Sequence, residues 1–203
     1  MYNLTERKLT IGIYGGIFLI FLFILKALYA YVGYEEVSNI YVKQAILVAT
    51  QKFLWIGIVI LLYNIIVVYY KQENLRSLWK WLIRLEVIIG ILAVLTALRT
   101  YYGILGPLII VTIVAIVIYI IIFSRIHKLE KEELPDISVL HEFILAFVIV
   151  FALLIALGFV IEYGRKTELE FIKHLLTAIP FIFIVRFLIK VRKRIFYNKT
   201  ASV

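Results

Sequence analysis

Between Leu108 and Phe123 the chain reads Leu-Ile-Ile-Val-Thr-Ile-Val-Ala-Ile-Val-Ile-Tyr-Ile-Ile-Ile-Phe, and no charge interrupts it. A helix needs about 20 apolar residues to cross a hydrocarbon core about 30 Å thick. Six segments reach or approach that length, near 9–32, 53–70, 82–98, 104–123, 143–163 and 171–189. None alternates apolar and polar residues with a period of two, which excludes the strands of a membrane barrel. The pattern predicts an all-α, polytopic integral membrane protein. It would be a single transmembrane domain over 1–203, with about six transmembrane helices arranged as three hairpins and a frayed tail over 197–203.

Composition agrees with this reading. Hydrophobic residues make up 64% of the chain, against about half in a soluble domain, so a soluble core could not hide them. Charged residues make up 17% and cluster between the apolar runs. A net charge of +9 would suggest a nucleic-acid partner for a soluble protein. In a polytopic chain it reports basic cytoplasmic loops instead, and no nucleic-acid partner is expected. Arg7 and Lys8 precede the first apolar run as in a signal peptide, but 9–32 is longer than the 7 to 15 residues of a signal core and reads as a retained span.

Orientation follows from counting cations. With both termini cytoplasmic, the inner side carries Arg7, Lys8, Lys71, Arg76, Lys80, Arg84, Arg125, Lys128, Lys131, Arg186, Lys190, Arg192, Lys193, Arg194 and Lys199. The outer side carries Lys43, Lys52, Arg99, Arg165, Lys166 and Lys173. That bias fits the positive-inside rule and an even number of spans.

Within the first span, Gly12 and Gly16 have the small-xxx-small spacing that lets another helix approach closely. Lys26 lies about two turns inside the end of that span, from which its ammonium can snorkel outward. Between Gly33 and Lys52 polar and apolar residues mix, which predicts a short interfacial amphipathic helix. Asn64 is the strongly polar side chain of the second span, and an amide there is expected to bond to a neighbouring helix. Arg76, Lys80 and Arg84 recur every fourth residue and share one helix face, with Trp79 and Trp81 suited to headgroup level. Lys190 and Arg194 continue a similar stripe from Arg186. Both stripes are aimed at anionic lipid headgroups.

The chain has no cysteine, which excludes disulfides, thiolate metal sites and cysteine nucleophiles. Asp136 is its single aspartate, so a paired-Asp magnesium site is excluded, and no HExxH, GxSxG or Gly-rich phosphate loop is present. His127, His141 and His174 lie off mid-span, which disfavours haem held between helices. A lipid-modifying site would have to draw on His127, His141 and Glu142. The expectation is therefore no catalytic, metal or cofactor-binding residues.

Ionisable groups inside a membrane are the remaining pointer to function. Lys26, Asn64, Glu86, Arg99, Glu162 and Arg186 are the intramembrane polar candidates. Glu86 stands out, because a short acidic side chain one turn inside the basic ramp cannot reach the headgroups. Its partner must come from another helix, with Arg186 or His141 as candidates, whereas Glu162 and Arg99 could pair at the outer rim. These features predict a non-enzymatic multi-pass protein acting through helix packing and lipid contact. Its partners would be membrane lipids, including anionic headgroups, and further subunits, either copies of itself or other membrane chains. The alternative is a small channel or transporter with Glu86 in its path.

Overall fold

The computed structural model describes residues 4–32, 40–98, 104–128, 137–164 and 169–197. Among these residues the structure is helical, with no strand. The long helices are α1 (Glu6–Val32), α2 (Ile40–Tyr63), α3 (Arg76–Ala97), α4 (Leu105–His127), α5 (Ile137–Gly164) and α6 (Glu170–Arg192). Five of them, α2 and α6 together with the π-helical segments that follow them, provide a stretch long and apolar enough to cross a membrane: Glu6–Leu28, Lys43–Tyr69, Gly106–His127, Ser138–Leu157 and Glu170–Tyr197. The exception is α3, whose first half carries Arg76, Lys80, Arg84 and Glu86.

The described residues group into two compact units. In the first, α3 packs against both α2 and α4. After Tyr63 the helix widens into a π-helical segment, Asn64–Tyr69, whose Ile65, Ile66 and Val67 are all fully buried. Lys71 then takes a left-handed conformation (φ 56°), and a 3-10 turn at Glu73–Leu75 leads into α3. Leu75, Trp79 and Leu82 project into the core of this unit. At its far end, Arg125 Nη1 donates to the Asn74 carbonyl oxygen at 3.2 Å, fastening the last turn of α4 to the α2–α3 connection. Pro107 lies in the first turn of α4, where its missing N–H costs no helical bond.

In the second unit, α6 packs against both α1 and α5. Three contacts set an antiparallel register between α1 and α6. Glu6 meets Arg192, Phe23 stacks on Phe181 with ring centroids 5.4 Å apart, and Tyr31 sits edge-on to Phe171 at 5.5 Å. Sequential hairpins would match α1 to the second span; within its unit, its partner is α6. Gly16 is buried on α1 and Gly12 half-buried. Pro180 is buried inside α6.

The expected interfacial helix does not separate from the second span. Ile40–Tyr63 is one continuous helix, and a Cβ added to Gly90 would lie 3.5 Å from Lys52 Cβ. Gln51 and Lys52 looked interfacial because they are polar, yet Gln51 is only 7% exposed. Trp79 also departs from expectation: it is 1% exposed in the core, whereas Trp81 is exposed with the Arg84 guanidinium 5.2 Å from its ring centroid.

Candidate functional site

Glu86 is 4% exposed and is the buried acid among the described residues. Three helices converge on it. Tyr119 of α4 donates its hydroxyl to Oε1 at 2.7 Å, and Lys52 of α2 places Nζ 3.8 Å from Oε2. Oε2 receives no hydrogen bond among the described residues, so its compensation is the lysine charge. Gly90, one turn beyond Glu86 on α3, faces α2 at Lys52 and Ile56, where an added Cβ would sit in ordinary contact at 3.5 and 3.6 Å. Trp55, one turn beyond Lys52 on α2, closes over Tyr119 with ring centroids 6.4 Å apart.

A carboxylate in an apolar interior would be costly alone, and an ion pair with a charge-assisted hydrogen bond makes it tenable. The cluster thus holds one negative and one positive charge and is locally neutral. Its partners differ from the sequence candidates. Arg186 lies in the other unit, where its Nη1 donates to Glu142 Oε2 at 2.8 Å. Lys52, assigned from the sequence to the outer side, and Tyr119 are both partners missed by sequence reasoning. Tyr119 lies in the uncharged run 108–123, where a phenol hydroxyl amid mostly apolar residues was the available signal.

Two further polar atoms in this unit are buried without a hydrogen-bond partner among the described residues, Gln51 Nε2 and Trp79 Nε1. Asn64 bonds within its own helix: Nδ2 donates to the Ile60 carbonyl oxygen at 3.0 Å, where the α-helix passes into the π segment.

The second unit carries its polar groups at the ends of the α1–α6 pair. At one end Arg192 donates to Glu6 Oε1 through Nε at 3.1 Å and Nη2 at 2.7 Å. The Tyr197 hydroxyl donates to the same oxygen at 2.9 Å. Toward the other end, Lys26 is half-buried within electrostatic reach of Lys173 and His174 of α6.

Of the basic ramp, Arg76, Lys80 and Arg84 are all exposed, with Arg76 paired to Glu73. Lys190 and Arg194 are exposed as well. Arg99 lies outside the described residues, and the Glu162 side chain is also outside them. Among the described residues no group of three or more His, Asp and Glu could hold a metal ion.

Comparison with protein-family models, with curated proteins and with solved structures found no match. The class therefore rests on the chain's own features. It is a helical protein with, among the described residues, five helices compatible with a multi-pass membrane protein.

Proposed function

We propose that this is a non-enzymatic multi-pass membrane protein, a subunit of a membrane assembly that acts through helix packing and lipid contact. In this reading α3 is the sixth span and both termini face the cytoplasm. The observation that carries it is the closure of Glu86 by Lys52 and Tyr119. Proton and cation relays string several ionisable groups together across the membrane, whereas Glu86 is the one buried acid among the described residues. Its chemistry is that of a clamp across α2, α3 and α4.

Moving Lys52 from the outer loop into the span leaves the cation bias toward the inner side intact. The exposed ramp at Arg76, Lys80 and Arg84 supports contact with anionic headgroups on that side. Exposed apolar residues such as Phe21 on α1 and Ile113 on α4 provide surface for lipid tails or neighbouring subunits.

Reconstitution into liposomes loaded with pH- and potassium-sensitive dyes tests the reading. The expected result is the same flux as empty liposomes for wild type and Glu86→Gln alike. Flux that is present in wild type and lost in Glu86→Gln would instead establish the transport alternative. In parallel, Arg76→Gln/Lys80→Gln/Arg84→Gln should retain less phosphatidylglycerol on purification. Unchanged retention would remove the ramp from the lipid contacts.

A further inference from the structure

Glu86 marks the depth of α3. Its partners Lys52 and Tyr119 lie within about one helical turn of the middle of the Lys43–Tyr69 and Gly106–His127 stretches. With α3 as the sixth span, Glu86 therefore lies near the midplane of the bilayer. Counting from it toward the start of α3 places Arg84 about 3 Å, Lys80 about 9 Å and Arg76 about 15 Å away, and the hydrocarbon edge is about 15 Å from the midplane. Arg76 is thus level with the headgroups, and it pairs with Glu73. Lys80 is close enough to snorkel to them. Arg84 is not, because its guanidinium lies over the Trp81 ring, about one turn along the helix and still among the acyl chains.

Arg84 also stands at the centre of an exposed seam. Ser77, Trp81, Arg84, Ile88 and Ile91 are all exposed and follow one another at alternating spacings of four and three. That is the period of about 3.5 residues by which one helix meshes with another, and a polar residue within such a seam selects the partner and its register. Among the described residues Arg84 makes no ion pair. Intramembrane cations pair with an opposite charge or line water, and the isoleucines beyond Arg84 make this face a poor wall for water. Glu86 is turned to Lys52 and Glu142 is held by Arg186. The chain's other acids fall at helix ends or in the connections between helices. A second copy would bring the same acids, so the missing carboxylate belongs to a different chain.

We infer that the exposed face of α3 is a docking seam for a transmembrane helix of another chain, apolar apart from one carboxylate that meets Arg84. This rests on the reading of α3 as the sixth span of an assembly subunit. It divides the ramp, leaving Arg76 and Lys80 to the headgroups and giving Arg84 to a protein partner.

The test places the full-length protein in phosphatidylcholine liposomes with a labelled Leu/Ala-rich transmembrane peptide carrying a single Glu at its middle residue, or Gln in its place. Association is followed by energy transfer. The Glu peptide should bind about tenfold more tightly than the Gln peptide, as expected for one strong interhelical polar contact. Arg84→Gln should remove that difference, whereas Arg76→Gln should leave it intact. Equal binding of the two peptides to wild type would overturn the seam, and this comparison holds even if Arg84→Gln fails to fold. A preference for Glu that survives Arg84→Gln would overturn it as well. So would equal peptide binding accompanied by a phosphatidylglycerol response that Arg84→Gln alone abolishes, which would give Arg84 to lipid.

The underlying span is judged separately. The chain has no cysteine, so Ile88→Cys offers a single thiol, which a water-soluble maleimide should fail to label in liposomes without peptide. Rapid labelling would remove α3 from the bilayer and the seam with it. Protection of that thiol together with equal peptide binding would keep the sixth span and reject only the docking partner.

Discussion

Glu86 and Glu6 meet the same kinds of partner in opposite surroundings. Each carboxylate has a basic side chain from another helix and a tyrosine hydroxyl on Oε1: Lys52 and Tyr119 for Glu86, Arg192 and Tyr197 for Glu6. By geometry the Glu6 cluster is the better made, with a guanidinium giving two hydrogen bonds to one oxygen at 2.7 and 3.1 Å against a single ammonium at 3.8 Å. Burial reverses the ranking of their importance. Glu6 and Arg192 keep water as an alternative partner, so losing one another costs little. Glu86 has no such alternative, and whatever removes its cation leaves a charge in an apolar interior. Strength of contact and dependence on contact are thus different properties, and this chain separates them.

The sharpest way to break that comparison is Lys52→Met. Stranding the Glu86 carboxylate should cost about 3 kcal/mol of stability, measured by denaturation in detergent or nanodiscs. Lys52→Met/Glu86→Gln should recover much of this, because the stranded charge is removed while Tyr119 keeps an acceptor. Equal destabilisation of the single and double variants would mean that packing, rather than charge, dominates at Lys52.

Tyr119→Phe should come next, at about 2 kcal/mol, as the loss of one hydrogen bond to a buried charged group. A loss well below that would show that Lys52 alone satisfies the carboxylate. The smallest effect belongs to Arg192→Gln. It should shift Tm far less than Lys52→Met, and the shift should vanish at about 1 M salt, where exposed charges are screened within about 3 Å. An effect equal to that of Lys52→Met would erase the distinction between the two clusters.

Much of the architecture was legible, because apolar run length is a direct physical requirement of the bilayer. The expected segment 171–189 lies within α6, and 104–123 starts one residue before α4 and ends four residues short of it. The second span was misread for a specific reason. Polarity at Gln51 and Lys52 resembles an interface unless Glu86 on another helix is known to face it, and a one-dimensional pattern does not contain that pairing. Glu86 itself was legible as a residue in need of a partner. The partners were not, since tyrosine does not register as charged and Lys52 faces Glu86 only once α2 and α3 are paired. The Glu6–Arg192 contact joins residues 186 positions apart, and neither residue is unusual in its local stretch.

The π-helical segment Asn64–Tyr69 has a consequence for which changes in chain length α2 can absorb. Its Tyr70 amide donates to the Ile65 carbonyl oxygen at 3.0 Å, five positions back rather than four. Each such ring holds one residue more than an α-helical turn. Deleting a residue between 64 and 69 would let the ladder close as an ordinary helix, with Lys52 still facing Gly90 and Leu75 still facing the core. The same deletion between Lys52 and Tyr63 would turn one flank about 100° against the other and aim Lys52 away from Glu86. Six residues near the end of α2 therefore hold the slack that lets the distant charge pair stay in register.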